Sequence, residues 1–169
     1  MKISGVRETQ VNNNLNAHSD HARVKIHPPV LLLLHLIAAF MLNRMLLLPL
    51  AFPQILVWLG YALTLIGFGL AVSAAIQFMQ ARTTLDPHGS VSEVVTSGPY
   101  RFSRNPIYLG FVCLLIGLSL IFKSYWGTIL APVFVVLMYH LVIRPEEIYL
   151  EKKFGEAYMS YKSAVRRWL

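Results

Sequence analysis

Apolar and polar positions in this chain segregate into long blocks rather than alternating at a strand or amphipathic-helix period. Residues 1–28 carry no apolar period, and Asn12-Asn13-Asn14, His18-Ser19-Asp20-His21 and His27-Pro28-Pro29 supply turn formers, so this part reads as a mobile N-terminal tail. Four apolar segments follow. The first runs from Val30 to about Phe52 and is interrupted by His35 and by Asn43-Arg44. The second, Ile55 to Ile76, has no charge over 22 residues, which at a helical rise of about 1.5 Å is roughly 33 Å, enough to cross the hydrocarbon layer. The third, Ile107 to Phe122, has 16 residues and gains length if it begins at Asn105; the fourth, Trp126 to Ile143, has 18. Only Lys123-Ser124-Tyr125 separates the last two, and Ala51 to Gln54 with Pro53 separates the first two, so each pair forms a helical hairpin. The expected fold is all-α: a polytopic membrane bundle of about four transmembrane helices (30–52, 55–76, 105–122, 126–143) in one domain over 29–169, with a loop at 77–104 and a C-terminal helical segment at 145–165. The first apolar stretch starts only at Val30 and continues at membrane length, which reads as an anchor rather than a cleaved secretory signal.

Composition agrees. Of 169 residues 56% are hydrophobic and 14% charged, against about a quarter charged in an ordinary globular domain, which argues against a soluble enzyme. The net charge is +7, and thirteen of the fifteen Lys and Arg fall in residues 1–29, 77–106 and 144–169, leaving Arg44 and Lys123. This asymmetry predicts that both termini and the central loop are cytoplasmic. Arg44 reads as a residue whose long side chain snorkels to the far interface. The basic residues border the membrane without forming a basic helix, so the positive charge points to the bilayer and no nucleic-acid partner is expected. A single cysteine, Cys113, excludes an internal disulfide framework and a Cys-based zinc site; no metal is expected.

Candidate chemistry concentrates in two polar stretches on the same predicted face. Ser97 to Gly110 holds a Gly98-Pro99 turn, Arg101, Arg104, and Asn105-Pro106 in the form of an N-cap with proline at the first helical position. Arg144 to Glu151 holds Pro145, expected to open a new helix, and Glu146 and Glu147 in its first turn. Each stretch taken alone also reads as border anchors and caps. Together, one helix start lined by arginine and another by glutamate suit a small molecule bearing a carboxylate, an ammonium and a sulfonium. Gly67, Ala71 and Ala75, spaced by four, read as a packing face rather than a nucleotide loop, and Gly110 and Gly117 serve the third span similarly. His35 and His140 are intramembrane polar residues that invite a test for a pocket role.

Thr83-Thr84-Leu85-Asp86-Pro87, Val95 to Tyr100, Arg104-Asn105-Pro106-Ile107-Tyr108-Leu109-Gly110, Glu146-Glu147 and Phe154 to Tyr161 resemble, in order and in membrane context, the isoprenylcysteine carboxyl methyltransferase and phospholipid methyltransferase superfamily. The resemblance covers roughly residues 55–165. It implies a membrane enzyme that binds S-adenosylmethionine at the cytosolic face and methylates a lipophilic or small acceptor. Carried over by motif, Tyr100, Asn105, Pro106 and Tyr108 fall on cofactor-binding positions and Glu146 on the cofactor-contacting acid, with Val94, Val95, Gly98, Pro99 and Arg104 in the adjoining cofactor segment. Arg144 resembles the arginine directed at substrate and, with Glu147, makes up the candidate catalytic pair. Asn105 stands where the eukaryotic carboxyl methyltransferases have His, and Ser92-Glu93 replaces their His-Thr. These departures associate the chain with the bacterial branch and a bacterial inner membrane, and leave the acceptor open. The mechanism implied is in-line attack of an acceptor oxygen, nitrogen or sulfur on the sulfonium methyl, aided by alignment and exclusion of water.

Three other classes compete at this level. A membrane reductase of the sterol-reductase type binds a nicotinamide dinucleotide instead; a tetraspan scaffold leaves the two polar stretches without a purpose; a transporter is disfavoured by the scarcity of ionisable residues in the spans. The charge asymmetry makes the first testable prediction. Reporter fusions after Leu169 and within Lys123 to Tyr125 report opposite sides of the membrane, and the same side from both refutes the span count.

Overall fold

The computed structural model describes residues 22, 24–46, 48, 50–80 and 94–169. Among these the regular elements are all helical: α1 (Pro28–Met45), α2 (Gln54–Gln80), a 3-10 turn (Gly98–Arg101), α3 (Pro106–Ile121), α4 (Trp126–Met138), a π-helical turn (Tyr139–Ile143), α5 (Arg144–Phe154) and α6 (Glu156–Ala164). Three stretches are long and apolar enough to cross a membrane, Pro28–Met45, Gln54–Gln80 and the continuous Trp126–Phe154, while Pro106–Ile121 is a shorter apolar helix. This is a multi-pass helical membrane architecture. Leu65, Ile55, Phe68 and Met79 on α2, and Phe40 and Met45 on α1, are exposed, which suits side chains that face lipid tails, where burial against protein brings no hydrophobic gain.

The second hairpin packs as expected, α3 against α4, whereas the first does not pair α1 with α2. α2 lies along α3, whereas α1 packs on α4 and α3. Close approach of α2 and α3 is what the glycines permit. A Cβ on Gly67 would stand 2.6 Å from the Gly110 carbonyl oxygen, and one on Gly60 2.8 Å from that of Gly117. The contacts are reciprocal, so Gly60 faces Gly117 and Gly67 faces Gly110 in an antiparallel register. Ala74, fully buried, extends the α2 face by another seven residues. The most buried positions recur every seven residues (60, 67, 74); of the expected Gly67, Ala71, Ala75 series, Ala71 also meets Gly110, its backbone nitrogen 3.5 Å from the position of a Gly110 Cβ, and Ala71 and Ala75 are half-buried. Cys113 lies against the same seam, its Cβ 3.0 Å from the position of a Gly67 Cβ.

Several expected boundaries shift for identifiable reasons. α2 continues to Gln80, because Gln77 to Gln80 contains no helix breaker. The loop expected from residue 77 thus starts later, and residues 81–93, with Thr83 to Pro87 and Ser92-Glu93, lie outside the described residues. At the start of the domain, Ala22 and Val24 are buried with Leu31, Phe134, Met138 and Val142. Packing thus begins within the segment expected to be a mobile tail; the rest of that segment up to residue 21, and residue 23, lie outside the described residues.

The largest correction concerns Pro145. It does not open a separate helix, for α4 runs through the π turn into α5 without a break. Proline lacks the N–H that would bond to the carbonyl four residues back, Leu141, and its ring crowds that oxygen. The chain resolves the conflict by widening one turn, with the Arg144 N–H donating to the Tyr139 carbonyl five residues back. The freed Leu141 carbonyl instead accepts the Lys25 N–H at 3.2 Å, which ties the segment preceding α1 to this turn. Glu146 and Glu147 consequently sit inside a long helix and not at a free helix start.

Two polar groups at the opposite end of the bundle fix the hairpin loops to each other: the Trp126 indole donates to the Leu46 carbonyl at 3.1 Å, and the Tyr125 hydroxyl to the Ala51 carbonyl at 2.7 Å. His35 is buried within α1, where its Nδ1 shares a hydrogen bond with the Leu31 carbonyl at 2.9 Å and its ring meets the Phe134 ring edgewise at 5.1 Å. That is the geometry of a satisfied packing residue.

The glycine seam yields a contrast between neighbours. Gly67→Ala forces a methyl group against backbone and lowers stability by about 2 kcal/mol, in the range of overpacking costs. Gly69→Ala, with nothing within 4 Å of its Cβ position, leaves stability unchanged or raises it by about 0.5–1 kcal/mol through helix propensity. Unfolding by graded denaturing detergent separates the two, and equal effects contradict the seam.

Candidate active site

The site builds up where α2 ends, α3 begins and α5 leaves the apolar part of its helix. Gly98 has φ +58°, and a Cβ there would also meet the Gln77 amide group at 2.9 Å, so the turn into the 3-10 segment needs glycine on both counts. Ser97 Oγ donates to Gln77 Oε1 at 2.5 Å, which joins the turn to the last part of α2. Directed inward by this turn, Tyr100 is buried with Ala74 and Val95, its ring 5.5 Å from that of Phe78. The Tyr161 hydroxyl donates to the Tyr100 carbonyl at 2.7 Å and fastens α6 to the same turn.

Two acid-centred contacts then join stretches about forty residues apart. The Tyr108 hydroxyl, on the first turn of α3, donates to Glu146 Oε1 at 2.7 Å. Next to it, Glu147 is held from two sides. Arg104 Nη1 donates to Oε1 at 2.9 Å, while Arg167 approaches side-on, Nε to Oε1 and Nη2 to Oε2, both at 2.9 Å. The side chains of Arg104 and Glu147 are only 8% and 10% exposed, so this pair is largely out of water, while Arg167, 34% exposed, closes it from the solvent side. The cluster carries two guanidinium groups on one carboxylate, and two well-aligned bonds from Arg167 offset part of the desolvation cost. The Arg167 guanidinium also lies 4.9 Å from the centre of the Tyr139 ring, on the π turn, a cation–π contact.

The backbone beside Arg167 organises the approach to α3. The Arg104 N–H donates to the Arg166 carbonyl at 3.0 Å. Ser103 Oγ and Asn105 Nδ2 both donate to the Arg167 carbonyl, at 3.2 Å and 3.0 Å. Asn105 occupies the N-cap position before Pro106 but makes no side-chain cap bond, because its amide is committed to this carbonyl. Among the described residues one donor in the cluster stays unmatched: Arg104 Nε is buried without a hydrogen-bond partner, a costly state for a charged group.

Electrostatics keep the surrounding phenols protonated. Burial pushes the Tyr100 hydroxyl well above its ordinary range, with Tyr161 and Glu146 adding to the shift. Burial raises Tyr161 likewise. Tyr158 is also raised by burial, against the opposing effect of a hydrogen bond with Arg104. These groups act as donors throughout the physiological range. The bonds to Glu147 raise Arg167 above its already high value, so it stays a cation.

Of the residues expected at the site, Tyr100, Arg104, Asn105, Tyr108, Glu146 and Glu147 come together around these contacts. Val95 and Pro106 are buried supports, Val94 and Pro99 are half-buried, and Gly98 makes the turn. Arg144 is exposed and stands apart from the cluster's hydrogen bonds. His140 is exposed too, its ring edgewise to neighbouring Tyr139 at 4.9 Å. Sequence reasoning missed Arg167 and Tyr139, and it took in Ser103 and Tyr161 only within longer stretches, with no role of their own. For Arg167 a signal existed: two adjacent glutamates leaving an apolar helix require counter-charge, and Arg166-Arg167 supplies it.

Residues 55–157 match the phospholipid methyltransferase family. The chain belongs to that family. Over 63 residues it is 35% identical to a Haemophilus influenzae protein described as uncharacterized, a match that takes in 37% of this chain and 100% of that protein. Over 72 residues it is 31% identical to the protein-S-isoprenylcysteine O-methyltransferase of Schizosaccharomyces pombe, covering 43% of this chain and 30% of the yeast protein. No solved structure matches it. Both halves of the Arg104–Glu147 and Tyr108–Glu146 contacts fall inside the part matched by the phospholipid methyltransferase family, whereas Arg167 lies beyond it.

Removing the central acid tests the cluster. Glu147→Ala strands the buried Arg104 guanidinium and costs about 3 kcal/mol of stability, as for breaking a buried ion pair from one side. Thermal unfolding in detergent with helical content as the readout detects the loss, and a wild-type melting profile refutes a structural role for the cluster.

Proposed function

We propose that this member of the phospholipid methyltransferase family is a membrane enzyme that transfers a methyl group from S-adenosylmethionine to a lipophilic or small acceptor. The observation that carries this reading is the meeting of the Asn105-Pro106-Ile107-Tyr108 stretch with Glu146 through the Tyr108 hydroxyl, 2.7 Å from the carboxylate. The residues present fit the cofactor's chemistry. An acid and phenol rings suit its cationic end, and the unmatched Arg104 Nε donor suits a carboxylate. Tyr100, Tyr108, Asn105 and Glu146 are the residues that would hold it, with Val94, Val95, Gly98, Pro99 and Pro106 shaping the surrounding wall. When bound, S-adenosylmethionine supplies a methyl group on a positively charged sulfur.

The chain's own residues then bind, orient and exclude water. Glu146 offers negative charge beside the site, and the Tyr108 hydroxyl holds one of its oxygens at 2.7 Å. Glu147, with both oxygens held by guanidinium groups, acts as a positioning residue and not as the group that meets the acceptor. Arg144, exposed on the first turn of α5, is the residue available to receive an acidic acceptor arriving at the membrane border. A carboxylate or thiolate acceptor attacks without a strong base, so alignment carries the rate. Four spans with both ends cytoplasmic complete the reading and set the site at the cytoplasmic face.

The reading is tested at the Tyr108–Glu146 contact. Tyr108→Phe and Glu146→Gln each weaken binding of S-adenosylhomocysteine about tenfold, roughly 1.4 kcal/mol, while the protein still inserts and keeps its helical content. Calorimetric titration in detergent measures it, and wild-type affinity in both variants moves the site elsewhere.

A further inference from the structure

We infer that the segment following α6, residues 165–168, is a strap that sets the geometry of the cofactor site, with Arg167 as its positioning residue. The inference rests on the proposed cofactor reading. At Val165 the backbone turns from helix to extended (φ −122°, ψ 132°), which lays the next residues across the start of α3. There the Arg166 carbonyl receives the Arg104 N–H, and the Arg167 carbonyl receives both Ser103 Oγ and Asn105 Nδ2. The Arg167 side chain points the other way, bonding both oxygens of Glu147 and covering Tyr139. Trp168 packs against the core cluster of Phe134, Met138 and Val142 and anchors the far end.

One residue thus grips both halves of the site at once. Its carbonyl fixes the conformation of Ser103 to Asn105, and its guanidinium fixes the helix turn that carries Glu146 and Glu147. Arg104 alone ties Glu147 through a single nitrogen, which leaves the carboxylate free to rotate about that bond; the parallel pair from Arg167 removes this freedom. Arg167 commits Nε and Nη2 to Glu147 and acts as a positioning residue. Its effect on binding passes through Asn105, Glu146 and Tyr108.

The test uses the full chain in detergent and S-adenosylhomocysteine as the probe. Wild-type protein binds it; absence of binding by the wild type defeats the cofactor reading itself and is thereby distinguishable from failure of the strap. Arg167→Ala weakens binding about tenfold or more, and millimolar ethylguanidinium restores a large part of the affinity where sodium chloride of equal ionic strength does not, because only the planar cation refills the contact. Lys162→Ala, which removes the Lys162–Glu151 ion pair between α6 and α5, binds as wild type. Unchanged affinity in Arg167→Ala, a loss that ethylguanidinium does not relieve, or an equal loss in Lys162→Ala overturns the inference. If Arg167→Ala does not fold, Arg167→Lys decides: a severalfold loss of affinity supports the strap, since lysine keeps the charge but not the paired bonds, and wild-type affinity refutes it.

Discussion

Glu147 is the point at which separate parts of this membrane protein are made to agree. Its carboxylate is shared between Arg104, which precedes α3, and Arg167, which follows α6, so the relative position of three chain segments is set by two guanidinium groups on one acid. In a bundle whose helices meet lipid over much of their surface, hydrophobic burial cannot supply that specificity, because lipid tails are as apolar as the side chains. A buried ion cluster can, since displacing either cation leaves charge unmatched away from water. The Tyr108–Glu146 contact lies one residue away from this clamp.

Backbone proximity does for the bundle what the clamp does for the site. Gly60, Gly67, Gly110 and Gly117 let α2 and α3 approach until a single methyl group would collide with a carbonyl, and that seam fixes where the end of α2 and the start of α3 stand. The π turn is the third constraint. It accommodates Pro145, carries the Tyr139 ring that meets the Arg167 guanidinium, and leaves the Leu141 carbonyl to accept the Lys25 N–H. Site geometry is therefore a consequence of a missing N–H as much as of any charged residue.

Much of this was legible in the sequence, for definite reasons. The apolar spans are found by hydropathy because lipid forbids unsatisfied backbone, although the first ends at Met45 and not near Phe52, and the last helix continues to Phe154. The stretches holding Arg104 and Glu146 stand out as polar at a membrane border, whereas Tyr108 is marked by the family resemblance. Less legible features depend on three-dimensional accommodation. Pro145 reads locally as a helix start, and nothing along the chain reveals that a widened turn lets the helix continue. Asn105 reads as a cap, yet its amide serves a carbonyl about sixty residues later. The seven-residue glycine register is hidden by the nearer four-residue spacing until both helices are seen together. Arg167 was discoverable only by asking which cation neutralises the second of two adjacent glutamates.

The central claim is methyl transfer by this site, and its most direct test is chemical. Protein in membranes or detergent is supplied with S-adenosylmethionine labelled with tritium in the methyl group, together with a whole extract of lipids and small molecules, and the labelled products are separated. The account predicts label in a discrete acceptor, dependent on the protein and abolished by competing S-adenosylhomocysteine. Folded protein that transfers no label to any component, or that binds a nicotinamide dinucleotide in preference, contradicts it.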